Sequence, residues 1–274
     1  MLLVGCGGGG AIPVPAQFLP SVLVQASDKI VSTAGYALSI FPTDEPDPVR
    51  SVRQQALQRG PLMLWPGNIK RDGFARFTQY VDAAALNPAF KSVYIFDEWC
   101  FSEKLYAAHG DGFGDCRELE IMAAARYARA HGLKAAVSII PAVVLHPQFK
   151  PLDINAFDVI GLDIYPSLPL GNYECAITGN PYTALLACAI ARLRSLGFQG
   201  EIYYITQAFG INTQPLADTL AQLALQRETI AAAPGLGVTM LAPWGQYMSA
   251  ADIALEPALY QGRGSAIESK LGLP

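Results

Sequence analysis

Short β-branched and aromatic runs recur through most of the chain, and stretches long enough for a helix separate them. Strands joined in that way lie parallel, because a parallel crossover needs about a dozen residues and a helix usually supplies them. Strand candidates cover residues 21–26 (SVLVQA), 35–41 (GYALSIF), 61–65 (PLMLW), 92–96 (SVYIF), 134–140, 158–164 (DVIGLDI), 201–206 and 238–241. Helical spacing covers 47–58, then a segment capped by Asp72 whose apolar face includes Phe74, Phe77, Val81 and Leu86. Further helices are expected at 118–130, 182–196, 216–232 and from Pro257 onward. Seven strand–helix units and one additional strand imply an α/β chain closed into a (β/α)8 TIM barrel. Only eight residues, 27–34, part the first two candidates. That is too short for a parallel crossover, so an irregular N-terminal end or a misplaced strand is expected.

The bulk numbers agree with one large core. The chain has 274 residues, 51% of them hydrophobic and 15% charged, a size at which single α/β barrels are common. Its net charge of −4 comes without a basic cluster, which leaves nucleic-acid binding no electrostatic support. No apolar run approaches the ~20 residues of a membrane-spanning helix. His109, His131 and His146 are scattered, and Asp111 and Asp115 lack the spacing of a full calcium ligand set. No metal and no cofactor is expected.

In such a barrel the chemistry sits where strands end and loops begin. Those positions hold Trp65, then Asp97, Glu98 and Trp99, then Asp163 and Tyr165, then Gln207, and last Trp244. Carboxyl groups beside indole faces suit sugar chemistry, which needs an acid at the scissile bond and a flat apolar surface for the ring. Each residue also has a plain structural role open to it. Asp97 could cap the next segment, Glu98 be solvated, Gln207 be a satisfied buried amide, and the three tryptophans be packing residues. Asp163 stands apart, because a carboxylate inside an apolar strand needs a partner or a cavity. The long glycine-bearing stretch 101–115 reads as a functional loop or lid.

Taken together, these strand ends resemble those of the clan A glycoside hydrolases, which are retaining (β/α)8 enzymes. Residues 157–166 (FDVIGLDIYP) are similar to the sixth-strand segment of endo-β-1,4-galactanases, and 205–210 (ITQAFG) to the clan's seventh-strand segment. Trp244 matches the eighth-strand tryptophan that floors the sugar subsite. The resemblance spans roughly residues 90–247 and implies a carbohydrate substrate, with Glu98 as general acid and Asp97 in place of the usual preceding asparagine. One departure is serious. Gln207 stands where the clan has its nucleophilic glutamate, and an amide has no anionic oxygen for attack.

Three readings follow. Asp163 could supply the second carboxylate. Alternatively, an N-acetylated sugar could use its own acetamide as nucleophile, since the Asp97–Glu98 pair is similar to that of β-hexosaminidases, with Tyr165 and Gln207 holding the amide. In the third, the barrel is a catalytically inactive carbohydrate-binding or structural protein. In the first two, Trp65, Trp99, Tyr165, Gln207 and Trp244 contact the sugar.

The N-terminus adds a location. Residues 3–6 (LVGC) resemble a bacterial lipobox in which Cys6 is lipidated, with only five residues before it. The glycine run and Pro-rich segment that follow read as a flexible tether, giving a tether over 1–20 and one barrel domain over 21–274. A lipid-anchored protein of the bacterial cell envelope, or a secreted one, is expected, touching membrane only through the anchor. Cys100, Cys116, Cys175 and Cys188 remain, an even number that in an exported chain suggests two disulfides with three pairings open. Cys100–Cys116 and Cys175–Cys188 are favoured because each closes a local loop, and a loop of about 15 residues is worth ~3 kcal/mol in the chain-entropy model. The alternative is four buried free thiols.

Overall fold

The computed structural model describes residues 22–25, 38–40, 45–57, 61–67, 69–101, 113–114, 118–164, 181–207 and 237–245. Its strands are β1 (Val22–Gln25), β2 (Leu38–Ile40), β3 (Leu62–Leu64), β4 (Phe90–Phe96), β5 (Lys134–Ile139), β6 (Val159–Ile164), β7 (Glu201–Gln207) and β8 (Val238–Gly245). They pair in sequence order, every pair parallel, and β8 returns to β1 through Val24↔Trp244. This is a closed (β/α)8 barrel. The first two strands pair in parallel, β1 ending at Gln25 and β2 beginning at Leu38, and the residues 26–37 that join them lie outside the described residues.

Six helices are described: α1 (Pro48–Gln55), α2 (Ile69–Asp72), α3 (Phe74–Ala85), α4 (Glu118–Ala130), α5 (Pro141–Leu145) and α6 (Pro181–Ser195). Asp47 caps α1, its carboxylate accepting the Arg50 N–H at 2.8 Å, and Pro48 supplies the preset φ of a first helical residue. The cap assigned to Asp72 is corrected. Asp72 ends α2 and pairs with Arg71, while Gly73, at φ 79°, makes the break before α3. Leu86 is also not on the buried face of α3; it lies past the helix and is 87% exposed. Helix α5 was unanticipated, being too short for a helical period to show. The expected tether at 1–20 and helices at 216–232 and from Pro257 lie outside the described residues.

Period-two alternation sorts the strand residues into two populations. Val93 and Ile95, Val137 and Ile139, and Ile160, Leu162 and Ile164 join the apolar layer between barrel and helices. Tyr94, Ser138 and Asp163 have the opposite parity and belong to the barrel interior, each buried. Below Asp163, Gly161 is small for a reason. A Cβ there would lie 2.5 Å from Cδ1 of Ile205, which fills that part of the interior. At the N-terminal end, Lys134 pairs with Glu201, which also receives the Tyr203 hydroxyl at 3.4 Å. The opposite mouth carries the reactive groups.

Candidate functional site

Strand β4 runs into residues 97–101, and this turn is the centre of the mouth. Glu98 has φ 48° and Cys100 φ 66°, both in the left-handed region that side-chain-bearing residues seldom occupy. Such strain persists only where neighbours over-determine it. Ser138 on β5 does so from both of its oxygens. Its Oγ accepts the Glu98 N–H at 2.7 Å, and its backbone carbonyl accepts the Trp99 N–H at 2.9 Å. Within the turn, the Phe101 N–H reaches the Glu98 carbonyl at 3.0 Å.

The same serine holds the acid beside it. Ser138 Oγ donates to Asp97 Oδ1 at 2.9 Å, and the Tyr94 hydroxyl donates to that oxygen at 2.7 Å. Asp97 is reached by water from the mouth, yet protein surrounds it on most sides. That desolvation raises its pKa above the ordinary carboxylate value, against hydrogen bonds from Tyr94, Ser138 and the Glu98 backbone that pull it down. The Tyr94 phenol is driven well up, first by burial and then by the charges of Asp97 and Asp163. Two carboxylates therefore act on one phenol. Asp163 is only 4% exposed, on β6 two residues above Gly161.

Trp65, just past β3, completes the described group. Its ring stacks on Tyr94 with centroids 5.2 Å apart and planes 23° from parallel, and the residue is half-buried. An indole stacked on a phenol and still partly open to solvent is a flat apolar surface. Gln207 ends β7 and pairs in register with Trp244 near the end of β8, so both backbones reach the same mouth.

Trp99 does not belong there. The two left-handed residues on either side turn its indole away from the mouth, and it is 1% exposed, packed against Phe149 at 5.7 Å and Phe157 at 5.3 Å. It is a core residue, not a stacking surface for sugar. Burial of a side chain that size stabilises by roughly 2–3 kcal/mol. Tyr165, Cys6, Cys116, Cys175 and most of the 101–115 loop lie outside the described residues, as do the side chains of Gln207 and Trp244. Cys100 is buried and Cys188 half-buried, and each favoured disulfide has its other cysteine, Cys116 or Cys175, outside the described residues.

Tyr94 and Ser138 were not read from the sequence as site residues. Their signal was parity: a tyrosine and a serine lie on the interior-facing register of strands whose other register buries aliphatic residues, Val93 and Ile95 on β4 and Ala135, Val137 and Ile139 on β5. A hollow of about 830 Å³ lies elsewhere, between α1 and α3 on the outer face, lined by Val52, Leu57, Ala83 and Leu86. It contains none of these groups.

No protein-family model matches the chain, and no curated protein matches it. Solved structures do match in shape. A Bacteroides thetaiotaomicron protein assigned as an alpha-L-fucosidase superposes with a TM-score of 0.53 at 9% identity, covering 100% of both chains. The virulence factor SghA, solved with its substrate analogue salicin, gives 0.52 at 12% identity over 85% of this chain and 87% of its own. CbXyn10B in its native form gives 0.52 at 12% identity over 84% and 85%. At such identities the likeness is one of fold, the (β/α)8 barrel.

Proposed function

We propose that this barrel is a glycoside hydrolase acting on an oligo- or polysaccharide at the C-terminal mouth. Glu98 is the general acid, Asp163 the second carboxylate, and Trp65 the wall on which a sugar ring stacks. The observation that carries this is the group Trp65–Tyr94–Asp97, with Asp163 buried on the interior register of β6. Asp97 has a defined part. Tyr94 and Ser138 fix its Oδ1 at the lip of the mouth, next in the chain to Glu98, at the position where the asparagine is usual. Fold likeness to SghA with salicin supports the choice of substrate class by analogy alone.

Gln207 withholds a nucleophile from β7, so displacement needs Asp163, a water activated by it, or the substrate's own acetamide. The rigid seating of Asp97 Oδ1 favours the last as a second reading, since an aspartate that orients an acetamide must be held still. An aryl-glycoside and oligosaccharide panel that includes N-acetylated members tests the assignment. Turnover with release of reducing sugar supports hydrolysis. Affinity without turnover selects the inactive sugar-binding barrel, and neither result leaves only a scaffold. Envelope tethering through Cys6 is proposed with it. Radiolabelled palmitate should enter the wild type and not Cys6→Ala.

A further inference from the structure

The ladder between β3 and β4 ends at Leu64, and a side chain takes up the N–H and C=O of the next residue, Trp65. Gln55, the last residue of α1, is 1% exposed and sits outside the barrel wall. Its Nε2 donates to the Trp65 carbonyl at 3.0 Å, and its Oε1 accepts the Trp65 N–H, also at 3.0 Å. Nε2 also reaches Ser51 Oγ at 3.2 Å. An amide buried this deeply is costly unless bonded, and here it is bonded at both ends. The carboxamide acts as one more strand, offering a donor and an acceptor side by side.

We infer that Gln55 is a positioning residue for the mouth, fixing Trp65 so that its indole lies over Tyr94 and walls the saccharide subsite. The relay is short: Gln55 holds the Trp65 backbone, the Trp65 ring stacks on Tyr94 at 5.2 Å, and the Tyr94 hydroxyl holds Asp97 at 2.7 Å. The saccharide half of this inference rests on the proposed function; the placement of the indole does not. Few residues can stand in. Methionine fills the volume with neither donor nor acceptor. Ionised glutamate accepts the Trp65 N–H but sets an anion against the Trp65 carbonyl, whereas protonated glutamate again offers both groups.

The test uses the full chain labelled with 15N-tryptophan. Three tryptophans give three indole signals. Trp65→Phe identifies one, and core-bound Trp99 reports whether the fold is intact. In Gln55→Met, the Trp65 signal should move toward its position in Tyr94→Leu while the Trp99 signal stays. In Gln55→Glu, the wild-type position should return as pH falls through the new carboxyl's titration and be lost above it. If the panel yields a substrate, Gln55→Met should raise KM about tenfold with kcat within about twofold, the loss of one aromatic contact. A Trp65 signal unmoved in Gln55→Met overturns the inference, whether or not any saccharide binds. If Gln55→Met loses the Trp99 signal, the Gln55→Glu pH series decides, and a Trp65 signal unresponsive to pH there overturns it. A wild type that binds no saccharide, with Trp65 displaced in Gln55→Met, ends the proposed function and leaves the positioning role standing.

Discussion

The Tyr94 hydroxyl donates to Asp97 Oδ1 at 2.7 Å, and through that bond the stacked aromatic pair and the acidic turn become one unit. The phenol lies inside the barrel; the carboxyl lies at its lip. Perturbing either should be felt by the other.

Asp97→Asn separates two mechanisms. The folded-state pKa of Asp97 is raised, so the native protein holds that proton more tightly than the unfolded chain does. The stability this contributes is full below the unfolded carboxylate value and is lost as pH rises through the folded value. Asparagine cannot lose a proton and keeps an oxygen for Tyr94 and Ser138. Urea unfolding should therefore show the variant at least as stable as wild type at pH 8, the gap closing toward pH 3. A hydrolase that uses neutral Asp97 as a donor should extend its activity to higher pH in this variant. Substrate assistance predicts lost cleavage of N-acetylated substrates instead.

Tyr94→Phe removes one hydrogen bond that lowers the Asp97 pKa. That pKa should rise further, read from the carboxyl carbon in a 13C titration. Stability should fall by about 1 kcal/mol, the usual net worth of one hydrogen bond, measured by urea unfolding. A downward shift would show that the phenol does not act on Asp97 as a donor.

Ser138→Ala withdraws the Oγ that accepts the Glu98 N–H and donates to Asp97. The left-handed Glu98 then loses one of its restraints. We expect a cost of about 1–3 kcal/mol in unfolding experiments and a fall in kcat larger than any rise in KM. Wild-type kcat with wild-type stability would remove Ser138 from the site.

Gly161→Ala tests how the interior beneath the site is filled. The new methyl would meet Ile205 Cδ1 at 2.5 Å. Overpacking of this kind costs about 1–3 kcal/mol, and Ile205→Val, which deletes that carbon, should recover much of it in the double variant. Equal losses in single and double variants would place the strain elsewhere.

The barrel was legible in the sequence because strand and helix periods differ and the connections are helix-length. The 118–130 helix was located to the residue, its glutamates at the start and Gly132 beyond its end marking both limits. Helix α2 and the Gly73 break were not, since a four-residue helix carries no period and Asp72 imitates a cap. At the site, a carboxylate within an apolar strand singled out Asp163. Trp99 misled because position after a strand does not fix direction: two left-handed residues around it reverse the side chain, and neither is a glycine. Gln55 left no local trace, for its partner is ten residues away on another element.

Leaving-group dependence in Glu98→Gln tests the central claim most directly. Two glycosides of one accepted sugar are compared, one with an activated leaving group that needs no proton and one with an alkoxide that does. Glu98 as general acid predicts a loss of about 10²–10⁴-fold on the alkoxide substrate and little loss of bond cleavage on the activated one. Equal rates for variant and wild type on the alkoxide substrate, or an equal loss on both, would contradict it.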